Sequence, residues 1–190
     1  MSVFKKKNGW YLEYKKNNNK EEIVGKQERS MNVNLEDLGK NYKLRIDYAV
    51  GASLLDSWNL LASNQGFAKW FPQLTLEAKK NPQQLLFQEG DFREEMAILA
   101  YKKQEKIAYQ WDSAVVTFTF KEVGETGHIF FEEVIPKDFG NDWTNAQKDM
   151  TGWLVQNETL LAILNGDTEI DVNLAREKWR TFVAEQVEVK

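Results

Sequence analysis

A chain of 190 residues, 42% hydrophobic and 13% aromatic, has the apolar material for one substantial core plus an appendage. Its net charge of -4 argues against general nucleic-acid binding, which needs a basic surface to neutralise phosphates. With no cysteine and one histidine, a disulfide framework, thiolate chemistry and a Cys/His zinc site drop out, so no metal or cofactor is expected.

The opening stretch, MSVFKKKNGWYLEY, has no apolar run behind its lysines, and no later segment has the length of a membrane span. The expectation is a cytoplasmic protein without signal peptide or membrane span. Residues 1–41 form an N-terminal extension. GWYLEY predicts a strand, and Asn17 to Asn19 offer a turn back into Glu21 to Arg29, giving a hairpin. The lysines among its aromatics fit an edge hairpin that blocks further strand pairing; stacking of the rings on nucleic-acid bases is the other reading of the same pattern.

From Tyr42 to Val50 the residues alternate, with Leu44, Ile46, Tyr48 and Val50 on one face, which predicts the first core strand. Ser53 and Asp56 make a capping-box pattern before Leu54, Leu55, Trp58, Leu61 and Ala62, so a short helix follows, ended by Gly66. Phe67 to Pro72 reads as an aromatic turn in which Trp70 plugs one end of the core. Strands are then predicted over 74–79, 84–88, 94–102, 106–111, 114–122 and 128–135, separated by Asn81-Pro82, Gly90-Asp91, Asp112-Ser113 and Glu125 to Gly127. Tight turns between consecutive strands predict an antiparallel meander.

The last two elements are helices. Trp143, Ala146, Met150, Trp153, Leu154, Leu160, Leu161 and Leu164 recur at three-and-four spacing, so a helix from Asn141 to Gly166 buries one face. Asn141 or Thr144 would cap its start and Gly166 its end. Asn157 interrupts the stripe; it either faces a ligand cavity, or else bonds a neighbouring strand or sits at the water-facing margin. Val172, Ala175, Trp179, Phe182 and Val183 mark a further amphipathic helix, started by Asp171 or Asn173, in a C-terminal extension, 167–190, packed on the same domain.

LLDSWNLLASNQGFAKWF, the GDF at Gly90, KIAYQW ending in Trp111, VTFTFKEVGETGHIFFEEV and GWLVQNETLLAILNG together resemble bacterial proteins of the START-like superfamily. Within it, the likeness runs to the family named after the C-terminal domain of the activator of the heat-shock chaperone ATPase. It covers residues 42–166. The resemblance implies an α+β helix-grip fold, a curved antiparallel sheet wrapped around a long C-terminal helix. It also implies a module that encloses a small hydrophobic or amphipathic molecule, or docks on a protein partner, and it implies no single reaction. Relatives carry Gly-Trp followed by leucines along the last helix, matched here by Gly152, Trp153, Leu160 and Leu164, with Asn157 departing from the pattern.

The chemistry-bearing residues are few. Glu94-Glu95 and Glu132-Glu133 are strand neighbours that point to opposite faces, so neither couple makes an acid-base pair. Were Glu133 to share the face of Ile129, Phe131 and Ile135, it would be an interior carboxylate with a raised pKa, suited to anchoring a ligand. His128 has no triad partners and reads as a turn or surface residue. Tyr48, Trp70, Tyr109, Trp111, Phe118, Phe120, Phe131 and Trp153 either wall an apolar pocket or fill it. All of these but Tyr109, with Met150, Asn157 and Glu133, form the candidate ligand-binding set. Non-enzymatic ligand binding is the leading expectation. A protein-interaction module, a homodimer, or an enzyme with a hydrophobic substrate are the alternatives.

Overall fold

The computed structural model describes residues 3–7, 10–17, 20–27, 30–142, 144–167 and 170–188. The chain divides into two compact units, 1–30 and 31–190. The first is a three-stranded antiparallel sheet of β1 (Val3–Lys7), β2 (Trp10–Asn17) and β3 (Lys20–Gln27) in the order β1-β2-β3. Its second hairpin pairs Asn17 with Lys20. Asn18, Asn19 and Arg29 lie outside the described residues.

The second unit begins with β4 (Asn32–Asp37), an edge strand that the sequence reading did not anticipate. Only Val33 and Leu35 of its six residues are apolar, too few for a period-two signal. It pairs with β5 (Asn41–Val50), whose Leu44, Ile46, Tyr48 and Val50 are buried as their alternation requires. Then come α1 (Leu54–Leu61) and α2 (Asn64–Trp70), followed by β6 (Leu74–Leu76), β7 (Gln84–Glu89), β8 (Phe92–Lys102), β9 (Lys106–Trp111), β10 (Ala114–Val123) and β11 (Thr126–Pro136). The eight strands form one antiparallel sheet, β4-β5-β11-β10-β9-β8-β7-β6, with a register shift between Ile98 and Ala100 that helps it bend.

Ser53 caps α1 by accepting from the Asp56 amide, but the helix ends at Leu61 rather than at Gly66. The expected aromatic turn is instead α2, because Ser63 accepts from the Gly66 amide and starts a second helix. Glycine at 66 permits the close approach of the two helices: a Cβ there would lie 2.1 Å from the Leu60 carbonyl oxygen. Trp70 does seal this end of the core, its Nε1 donating to that same carbonyl at 3.0 Å.

The long helix, α3 (Ala146–Leu164), starts later than its apolar spacing suggests. Neither Asn141 nor Thr144 caps it; the Asn145 side chain accepts from the Lys148 amide, and the backbone before Ala146 is extended. Trp143 lies outside the described residues. Gly166 does take the left-handed conformation that ends the helix, at φ +78°. The sheet curves around α3, a helix-grip arrangement, and receives Met150, Trp153, Leu154, Asn157, Leu160, Leu161 and Leu164. A second stripe, Thr151, Val155, Glu158 and Ala162, meets α4 (Val172–Glu188), where Glu158 accepts from Trp179 Nε1 at 2.5 Å. Two sides of α3 are therefore covered, not one. Asp171 starts α4 by accepting from the amides of Asn173 and Leu174. Among the described residues no helix is long and apolar enough to cross a membrane.

Candidate functional site

Trp153 organises the middle of the core. Its ring lies 5.1 Å from Trp111, 5.3 Å from Phe131, 6.0 Å from Phe71 and 6.2 Å from Phe118, centre to centre, mostly edge to face. Phe118 adds Phe131 at 5.0 Å and Trp70 at 6.2 Å. Rings at these separations attract one another beyond the area that they bury. Five of the candidate aromatics, Trp70, Trp111, Phe118, Phe131 and Trp153, thus form one packed network. Phe120 belongs elsewhere, edge-on to Trp58 at 5.5 Å. Met150 is fully buried on the same side of α3 as Trp153.

Tyr48 and Asn157 form a separate, closed contact. The Tyr48 hydroxyl donates to Asn157 Oδ1 at 2.9 Å, and Asn157 Nδ2 donates to the Trp153 carbonyl at 2.8 Å. Both residues are buried, and burial raises the Tyr48 pKa, so the hydroxyl stays a donor. Of the two readings of Asn157, the structure matches the one in which it bonds a neighbouring strand.

A different polar group sits at the amino end of α3. The alternation of β11 carries Glu133 inward with Ile129, Phe131 and Ile135, where its exposure is 0%. Across the sheet its row is Tyr109 of β9, Val116 of β10, Glu133 and Leu44 of β5. Among the described residues no N–H or O–H group donates to either Glu133 oxygen, and the Tyr109 hydroxyl is likewise buried without a hydrogen-bond partner. The side chain that Glu133 does meet is another carboxylate, Asp149, in the first turn of α3. Trp111 Nε1 donates to Asp149 Oδ1 at 3.1 Å, the Trp153 side chain lies near enough to favour the Asp149 charge, and Asp149 Oδ2 is sealed from solvent.

Two ionised carboxylates in contact repel, whereas one proton between them makes a strong hydrogen bond. Burial, then the neighbouring Asp149 charge, push Glu133 well above the usual carboxylate range. Burial raises Asp149 as well, with its bonds to Glu133, Trp111 and Trp153 pulling back and the Asp112 charge adding to the rise. The indole donors and the positive end of the α3 dipole favour charge on Asp149. These influences favour Glu133 as the protonated member of the pair, with Asp149 as its acceptor. Burial, and then the neighbouring Glu133 and Asp149 carboxyl groups, lift the Tyr109 phenol well above its ordinary value.

Beside this pair the sheet and helix part, leaving a cleft of about 260 Å³ bordered by Phe71, Phe87, Trp111, Trp153, Asp149 and Gly152, among others. Gly152 helps to keep it open, since a Cβ there would meet nothing within 4 Å. The sequence reading missed Asp149, because an acidic residue in a first helical turn also serves simply to complement the dipole. It missed Phe87 as well; Phe71 was noticed only as part of a turn. His128 lies away from the pair, its Nδ1 2.9 Å from Asp47 Oδ1.

No family model and no curated protein matches the sequence. Solved structures do match. A conserved protein of unknown function from Enterococcus faecalis, EF2215, superposes with a TM-score of 0.68 at 21% identity, over 80% of this chain and 91% of that one. CalU16 from Micromonospora echinospora gives 0.61 at 11% identity, over 85% and 99%. The Aha1 dimer from Colwellia psychrerythraea gives 0.54 at 12% identity, over 67% and 98%. What these proteins share with this chain is the fold, a small α+β domain whose sheet wraps a helix.

Proposed function

We propose that this protein is a non-enzymatic binding domain of the START-like type, and that it takes a small amphipathic ligand in the cleft between β7, β9 and the amino-terminal half of α3. The observation that carries this reading is an aromatic-lined opening placed directly against buried carboxyl groups. Apolar walls with a few convergent polar atoms are the common make-up of small-molecule sites. At about 260 Å³ the cleft lies just below the range of drug-sized pockets, which favours a compact ligand. Trp153 and its neighbours occupy the space deeper under the helix, so the ligand sits at the mouth of the grip. Asp149, backed by Glu133, supplies the polar contact, and Asn157 serves to hold α3 on β5.

A thermal-shift screen with aromatic and short-chain amphipathic compounds tests the proposal, because binding to the folded state alone raises apparent stability, by about 2.7 kcal/mol at a hundredfold excess over Kd. Gly152→Leu provides the control. Its side chain enters open space and improves helix propensity by up to ~1 kcal/mol, so it is expected to fold and yet to lose the ligand-induced shift. An undiminished shift in Gly152→Leu, or no hit in the wild type, would remove the cleft as the site.

A further inference from the structure

Resting on the cleft as the binding site, the charge of the ligand follows from what surrounds it. Phe71, Phe87, Trp111 and Trp153 border the opening, and the faces of such rings carry negative potential that attracts cations. Glu89 and Asp149 border it too, and Lys148 is the cationic side chain among the lining residues. Behind Asp149 stands Glu133, wholly buried, with two oxygens that receive no donor from any N–H or O–H group. Asp112, in the turn after β9, is close enough for its charge to act on Asp149 and on Glu94 of β8. Carboxyl groups from β7 and α3 thus border the cleft, with Glu133 of β11 behind Asp149 and the Asp112 charge within reach of it, against Lys148 and the neutral Tyr109 phenol.

We propose that the cleft selects small organic cations, amines or quaternary ammonium groups on an apolar body, and that such a cation replaces the proton held between Glu133 and Asp149. In the exchange the Glu133 O–H bond breaks, the proton passes to solvent, and the bound cation takes over the task of screening two carboxylates from each other. One positive charge leaves and one arrives. The cation therefore binds more tightly as pH rises, and its binding releases a proton.

Isothermal titration calorimetry of the full chain with three matched probes tests this: benzyltrimethylammonium, the neutral 2,2-dimethyl-3-phenylpropanol and the anionic 2,2-dimethyl-3-phenylpropanoate. The cation is expected to bind roughly tenfold more tightly than the alcohol or better, with the carboxylate weakest. Repeating the titration in buffers of different ionisation enthalpy is expected to show proton release approaching one per cation bound, and Glu133→Gln to lower that release towards zero. An alcohol or a carboxylate that matches the cation would overturn charge selection while leaving the cleft as a binding site. Cation binding without proton release would overturn the exchange. Failure of all three probes at millimolar concentration would take down both the selection and the binding reading. Should Glu133→Gln fail to fold, the wild-type comparisons decide the matter alone.

Discussion

Helix α3 presses two polar side chains towards the sheet about two turns apart, and they are treated in opposite ways. At Asn157 every buried polar atom has a partner: the amide oxygen takes the Tyr48 hydroxyl and the amide nitrogen reaches the Trp153 carbonyl. At Asp149 the chain brings a second carboxyl group, Glu133, and a phenol, Tyr109, into the same dry region, and among the described residues gives both Glu133 oxygens, Asp149 Oδ2 and the Tyr109 hydroxyl no partner beyond one another. A satisfied polar group inside a core fixes geometry at little net cost, whereas an unsatisfied ionisable one lowers stability and persists where something else needs it. The contrast separates a structural tie from a candidate site on one helix, although in the sequence Asn157 is the residue that interrupts the apolar stripe and Asp149 reads only as a first-turn acid.

Trp153 belongs to both regions, so its removal should have the greatest consequence. Trp153→Ala is expected to cost ~3–5 kcal/mol of unfolding free energy, measured by urea denaturation, with no collapse of the network to fill the hole. Asn157→Ala should come next, at ~2–3 kcal/mol, because it leaves the Tyr48 hydroxyl buried and alone. The double change Tyr48→Phe with Asn157→Leu should recover much of that loss by removing both partners together. If the double variant were no better than the single one, the tie would not be a closed pair.

The acid pair should behave in the other sense. Because the folded chain holds the Glu133 proton to higher pH than the unfolded chain, it binds more protons above the ordinary carboxylate value of 4.5, and stability falls as pH rises from there towards the folded value. Glu133→Gln donates to Asp149 without titrating, so it should match the wild type near pH 4 and be the more stable of the two at pH 8, as read by urea denaturation at both pH values. Parallel pH profiles for the two proteins would mean that Glu133 carries no such proton. Gly152→Ala, between the two regions on α3 and facing open space, should raise stability by only ~0.5–1 kcal/mol through helix propensity, leaving both pH profile and tie unchanged.

Much of the scaffold was legible because its signals are periodic. The alternation of residues 44–50, the turns at Gly90 and Asp112, and the leucines of α3 each state their element with little ambiguity, and both Gly90 and Asp112 do take positive φ. Edge strand β4 was not legible, with two apolar residues in six, nor was the break between α1 and α2, which depends on Ser63 capping a new helix only two residues after the first one ends. The site was half visible. Strand alternation alone places Glu133 inside once Phe131 and Ile135 are inside. Its partner Asp149 comes from the next element in the chain but meets β11 only when the sheet has curled around α3, so no local pattern announces it.

Infrared difference spectroscopy between the wild type and Glu133→Gln at pH 7 looks at the pair itself. A protonated carboxylic acid band should be present in the wild type, absent from the variant, and converted to carboxylate when benzyltrimethylammonium is added. A wild type whose spectrum shows Glu133 already ionised at pH 7 would contradict the shared proton, and with it the distinction drawn between the two ends of α3.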